Sequence, residues 1–229
     1  MKHFKNFKTC VYCTAQTLAS LDEATLARDY AYLEKYVGID KVYLETYRDG
    51  TWVSIDHMKM IQNFFKEHGV EIAGGITTVT PPLEKDDVKR QRLFQTFCYS
   101  NEAMRTYLKK IVTYTAELFD EIILDDFFFT SCTCDDCLRE RSNLSWAEFR
   151  SKKMIDVAEN LVLKPAKLAN PSVKVTIKYP NWRESYHETG YVPKIQPSMF
   201  DKIYTGTETR NTAHTDLLVV PGISICHDI

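Results

Sequence analysis

The chain has 229 residues, 44% hydrophobic and 26% charged, with 29 basic against 31 acidic side chains and a formal charge of −2. That length supports one substantial core. The interspersed charges exclude a dedicated nucleic-acid or anionic-membrane surface. The basic start, Met1 to Lys8, is followed by no apolar signal core, and no stretch is long enough to span a bilayer. The expectation is a soluble, cytoplasmic protein, with a removed export signal as the alternative and the oligomeric state left open. Seven cysteines, an odd number in a chain this large, argue for reduced thiols, some on metal, over a secreted disulfide framework.

In chain order, residues 11–17 read as a first strand, and Ser20-Leu21-Asp22-Glu23 as a capping box. The helix it opens carries Leu26, Tyr30, Leu33 and Val37 on one face and stops at Gly38. Residues 41–46 form the second strand. Ser54 caps a helix with Ile55, Met58, Ile61 and Phe65 on its apolar face, and Gly69 ends it. The third strand, residues 70–77, contains Gly74-Gly75, which permits close backbone approach. A charged run from Glu84 to Arg92 reads as a solvated loop or short helix. Residues 100–118 are helical, and the fourth strand ends in Asp125-Asp126. Ser145-Trp146-Ala147-Glu148 is a second capping box, opening a long helix that ends before Asn170-Pro171. Residues 174–182 and 202–210 complete the strands.

A shared strand entry recurs at Ile39-Asp40-Lys41-Val42, Phe119-Asp120-Glu121-Ile122 and Phe200-Asp201-Lys202-Ile203, at intervals of 80 and 81 residues. Each interval is two β-α units of about 40 residues. Alternating strand and helix predicts parallel strands with right-handed crossovers. The polar residues gather at strand carboxyl ends: Glu45, Thr77, Asp125, Asp126, Lys178 and Glu208. These features predict an α/β fold, a TIM-type (β/α) barrel with its site at the carboxyl-end face. A doubly wound sheet fits less well, because Thr14-Ala15-Gln16-Thr17 is not a glycine-rich phosphate turn. About six of eight strand-helix units are recognisable. The expected barrel therefore covers residues 1–211 and is incomplete, with 212–229 an atypical or truncated tail.

Cys132-x-Cys134-x-x-Cys137 places three thiols in six positions just after the fourth strand, and Cys98 on the preceding β-α loop is the natural fourth. Four soft ligands at such spacing suit a closed, structural zinc site. Cys10 and Cys13, on a strand, read as packing cysteines. His57, His68, His187, His214 and His227 show no metal-binding spacing.

Phe97-Cys98-Tyr99-Ser100-Asn101, the strand ending in two polar residues, the three-cysteine run and Trp146-x-x-Phe149-Arg150 together resemble family 42 of the glycoside hydrolases over roughly residues 95–150. Those are zinc-containing β-galactosidase barrels. The resemblance implies that Asp126 occupies the acid/base position. Asp125 falls where the family carries Asn, and the family's Asn-Glu pair is here Asp-Asp. The family's nucleophile comes from a seventh strand that is not recognisable in this chain.

Glycoside cleavage needs one carboxyl to protonate the leaving oxygen and a second to attack the sugar or activate water. Neighbouring strand residues point to opposite sides, so one of Asp125 and Asp126 is expected in the cavity and the other behind it. Glu208, on the sixth strand, is the better partner. The α-galactosidase-like barrels resemble that layout, with a strand-4 acid attacking and the strand-6 acid supplying the proton. Glu45, Tyr47, Arg48, Lys178, Trp182 and Arg210 are the candidate substrate-binding side chains, since carboxylates grip sugar hydroxyls and aromatic rings stack on sugar faces. The expected function is glycoside hydrolysis of a carbohydrate substrate. The alternatives are a non-catalytic sugar-binding barrel, a barrel isomerase or aldolase using Lys178, and a truncated product without activity.

Overall fold

The computed structural model describes residues 4–80, 92–180 and 185–205. Strand β1 (Cys10–Cys13) leads into the short helix α1 (Ala15–Ser20), then α2 (Glu23–Tyr36) and β2 (Lys41–Arg48). A two-residue strand β3 (Thr51–Trp52) folds back on β2, and α3 (Ile55–Glu67) and β4 (Glu71–Ile76) follow. Helix α4 (Glu102–Leu118) precedes β5 (Glu121–Leu124). Then come α5 (Asp135–Arg141), α6 (Trp146–Val157), a π-helical stretch (Ala158–Leu163) and α7 (Lys164–Ala169). Strand β6 (Lys174–Lys178), the short helices α8 (Tyr186–Thr189) and α9 (Gln196–Met199), and β7 (Lys202–Tyr204) end the described chain.

Leaving aside β3, which is antiparallel to β2, the strands run parallel in the order β1-β2-β4-β5-β6-β7. Strands in sequential order with helical crossovers generate a barrel wall. The wall curls. Glu121, at the start of β5, pairs with Lys41 of β2 and Lys202 of β7, each at 2.6 Å, and the rings of Tyr43 and Tyr204 meet edge-on at 6.4 Å. The fold is an incomplete α/β barrel.

The period-2 alternation of strands sorts the side chains. Facing outward, Val42, Leu44, Ile122, Leu124, Val175 and Ile177 join the main core beneath the helices. Facing inward, Tyr43, Ala73 and Ile123 form a separate small cluster with Tyr12. The paired glycines serve both sides. A Cβ on Gly74 would lie 2.7 Å from the Phe119 and Thr115 side chains, and one on Gly75 would lie 2.7 Å from the Tyr12 hydroxyl.

Local signals set most helix starts. Ser54 caps α3, and Ser145 with Glu148 forms the complete capping box of α6. Two expectations needed correction. The first strand stops at Cys13 rather than Thr17, because Thr14 caps α1. Asp22, not Ser20, caps α2, its Oδ1 accepting the Thr25 N–H at 2.7 Å, since Ser20 is consumed as the last residue of α1. Among the described residues no helix is long and apolar enough to cross a membrane. Most of the charged run (residues 84–91) and the tail (212–229) lie outside the described residues.

Candidate active site

The inward rows of the barrel wall determine what reaches its carboxyl-end mouth. On β2, Lys41, Tyr43 and Glu45 share one face, and on β5 Glu121 and Ile123 lead to Asp125. Glu45 is fully buried. Its Oε1 accepts hydrogen bonds from the Tyr12 hydroxyl at 2.8 Å, Arg48 Nη2 at 2.9 Å and the Thr77 hydroxyl. Its Oε2 accepts the Ala15 N–H at 2.7 Å and Arg48 Nε at 2.8 Å. Both oxygens are engaged by protein donors, so Glu45 fastens Arg48 rather than presenting itself to a ligand. Where a direct sugar contact was expected, both carboxylate oxygens are met by protein donors.

Arg48 spans the mouth. Its Nη2 reaches Asp125 Oδ2 at 3.0 Å and Thr77 Oγ1 at 2.9 Å, and its guanidinium lies 5.8 Å from the Phe127 ring centre. Lys178, at the end of β6, sits between the two aspartates, with Nζ 3.5 Å from Asp125 Oδ1 and 3.6 Å from Asp126 Oδ2. Those two oxygens therefore lie within about 7 Å of each other. Burial pushes the Asp125 carboxyl up. Hydrogen bonds from the Asp126 side chain and backbone, with the charges of Lys178 and Arg48, outweigh it and hold Asp125 below its ordinary range. The Asp126 backbone carbonyl accepts the Tyr191 hydroxyl at 2.8 Å.

Asp125 and Asp126 were expected to point apart, yet both line one cavity. The alternation rule ends with the strand: β5 stops at Leu124, and Phe128 N–H closes a turn onto the Asp125 carbonyl at 3.1 Å. The cavity, about 430 Å³, is lined by Tyr12, Tyr43, Arg48, Asp125, Asp126 and Lys178, with Cys10, Ile123, Phe127 and Tyr204 beside them. Tyr12, Tyr43, Phe127 and Tyr204 were missed as site residues. Their inward strand phase is the signal that could have found all but Phe127.

Tyr47 also departs from its expected role. It is fully buried in the helix-facing core among Trp52, Phe97 and Tyr107, its hydroxyl donating to the Val79 carbonyl at 3.1 Å. A register shift between Glu45 and Tyr47 breaks the alternation, so Thr46 and Tyr47 both turn outward. Glu208, Trp182 and Arg210 lie outside the described residues.

Beside the mouth, Cys98, Cys132, Cys134 and Cys137 converge, all four sulfurs within 4.8 Å of one another. Measured pairs are 3.6 Å for Cys98–Cys134, 3.7 Å for Cys98–Cys137 and 3.8 Å for Cys134–Cys137. A tetrahedron of thiolates at the usual Zn–S bond of about 2.3 Å has edges of about 3.8 Å, so the donor set fits such an ion in number, chemistry and spacing. Hydrogen bonds from Cys137 and Cys98 lower the Cys132 thiol, while the same cluster raises Cys137. Crowded thiols with a stabilised thiolate are what a cation would relieve. Phe149, Met104, Leu144 and Trp146 pack around the sulfurs. Arg150 stacks over Trp146 at 4.7 Å and donates to the Ser131 carbonyl at 3.1 Å and the Glu188 carbonyl at 2.6 Å, tying the loops after β5 and β6 together.

An incomplete parallel barrel with acids at its strand carboxyl ends is the architecture of barrel glycosidases. The chain belongs to the family described as probable glycosyl hydrolase, catalytic domain, which it matches over residues 1–224. It is 34% identical over 230 residues to an uncharacterized protein of Saccharolobus solfataricus, covering 90% of this chain and 38% of that protein. In fold it is similar to the cold-adapted β-galactosidase of Rahnella sp. R3, with a TM-score of 0.62, 11% identity, and 91% of this chain matched to 40% of that one. The chain thus spans well under half the length of either.

Proposed function

We propose that this chain carries the catalytic bowl of a glycoside hydrolase acting on a carbohydrate substrate. The observation that carries the reading is the pair Asp125 and Asp126, held on one lysine at the carboxyl end of β5 in a member of a glycosyl hydrolase catalytic-domain family. In this reading Asp126, the residue at the acid/base position of the family 42 resemblance, protonates the leaving glycosidic oxygen. Asp125, anchored by Arg48 and Lys178, is the fixed anion that orients it and stabilises positive charge developing on the sugar. Glu208 is the second catalytic carboxyl. Trp182 and Arg210 are assigned to sugar binding by residue type.

The isomerase or aldolase alternative needs an uncharged Lys178 amine. Here that amine is instead held between two carboxyl groups, at 3.5 and 3.6 Å. The reduced cysteines fit a cytoplasmic setting, and we assign structural zinc to the four-cysteine cluster. With four protein ligands it offers no open position for chemistry and serves to hold the rim.

The test is hydrolysis of aryl glycosides of galactose, glucose and xylose by the wild-type chain and by Asp126→Asn and Glu208→Gln. The expected result is a two-limbed pH profile, with the acid-requiring limb lost in Asp126→Asn. Full activity in both variants overturns the assignment. Borohydride trapping of substrate carbon on Lys178 would replace it with the lysine chemistry.

A further inference from the structure

A second concavity opens on the same carboxyl-end face, about 330 Å³ in volume, lined by Leu93, Phe94, Ser131, Arg150, Glu188 and Thr189, with Ser185 at its edge. Its walls come from the loops that follow β4, β5 and β6, the same strands that deliver the acids. After β4, residues 78–80 pair antiparallel with residues 95–97: Thr80 N–H donates to the Gln95 carbonyl and Phe97 N–H to the Thr78 carbonyl, each at 3.0 Å. The Leu93 N–H is pinned by Ser131 Oγ at 2.8 Å. These bonds hold the backbone on both sides of Phe94.

Phe94 is unusual in two independent ways. The residue is 60% exposed, although it is a large apolar one. Its backbone, at φ 52°, and that of Gln95, at φ 55°, occupy the left-handed region that bulky residues avoid. Strain of that kind is retained where the surrounding structure uses the resulting orientation. The ring lines this second concavity. Phe94 packs edge-on against Phe127 at 5.2 Å, and Phe127 lines the cavity holding Asp125 and Asp126. An exposed aromatic residue beside a carboxylate, hydroxyls and a guanidinium offers the chemistry that grips a sugar ring, whose apolar face stacks while its hydroxyls find polar partners.

We infer that Phe94 is the platform of a second sugar subsite, binding the ring on the leaving-group side of the bond cleaved beside Asp126. This rests on the hydrolase reading for the word "leaving", but the binding does not. The test compares the full chain with Phe94→Ala and Phe94→Trp. One set of substrates is the glycosyl fluorides of galactose, glucose and xylose, which have no ring on the leaving side. The other is lactose, cellobiose and xylobiose, which do. The expected result is a tenfold or larger fall in kcat/KM on the hydrolysed disaccharide for Phe94→Ala, a change under twofold on the matching fluoride, and recovery in Phe94→Trp. Equal effects on both substrates, or none on either, overturn the subsite. If no substrate turns over, the hydrolase reading fails by itself, and calorimetric titration with the same disaccharides and their trisaccharides decides the subsite. Binding that Phe94→Ala abolishes supports it; binding left intact by that variant, or no binding by wild type, overturns it. Because the residue is exposed, unchanged melting of Phe94→Ala is expected.

Discussion

The two ends of β5 place acidic residues in opposite circumstances. At the amino end Glu121 is alone between two ammonium groups, Lys41 and Lys202, each at 2.6 Å. At the carboxyl end Asp125 and Asp126 crowd onto Lys178, with Arg48 divided between Asp125 and the buried Glu45. The first arrangement is electrostatically satisfied and ties three strands across the floor of the barrel. The second places two carboxyls side by side on one ammonium group. One strand, four residues long, thus separates an acid shared by two lysines from two acids that share one.

The sharpest way to break this contrast is Asp126→Asn. It is expected to lower kcat/KM on glycosides by about 10²–10⁴-fold, the range for a lost general acid, while melting temperature stays level or rises as crowding is relieved. A large loss of stability there would make the upper end structural after all. Next comes the cysteine cluster, to which we assigned zinc. Metal analysis of the purified chain is expected to find one zinc per chain, and Cys137→Ser or chelation to lower the melting temperature by about 6–12 °C, the shift for roughly 3 kcal/mol in a chain this size. Melting that ignores the chelator would remove the metal from the account.

Glu121→Gln is expected to cost about 1–3 kcal/mol in urea unfolding, since two ammonium groups lose their shared acceptor, with kcat/KM changed less than twofold. The smallest effect is a dependence on pH. Burial alone would raise Glu121, but Lys202 and Lys41 outweigh it and lower it, and Asp125 is lowered as well. The unfolded chain therefore binds more protons than the native one at these sites across the acid range. Their stabilisation is complete above the ordinary carboxylate range of about 4 and is lost as pH falls through the folded values. Urea midpoints measured from pH 7 to pH 3 are expected to fall most steeply at the acid end, and less steeply in Glu121→Gln. A midpoint that rises on acidification reverses the sign and contradicts the ion cluster.

Much of the scaffold was legible because its signals are local. Ser54 and Ser145 announce helix starts through their own side chains, and Gly69 ends α3 at a φ of 72°. The three-cysteine run implied convergence because six positions hardly leave the sulfurs room to separate. Glu45 and Tyr47 were misread for lack of longer-range information. Whether a strand-end acid meets a ligand or an arginine depends on the donors that neighbouring elements bring to it, and a one-residue register shift redirected Tyr47 into the core.

By itself, the sequence determined the alternation of strand and helix, the strand ends that carry Glu45, Asp125 and Asp126, and the closeness of Cys132, Cys134 and Cys137 in one loop. These follow from periodicity and short-range geometry. Only the tertiary structure decided that Asp126 joins Asp125 in one cavity, that Lys178 lies between them, and that Phe94 lines a second concavity. Each of those depends on where a strand stops and how far the sheet curls, and such outcomes are fixed by contacts between residues distant in the chain.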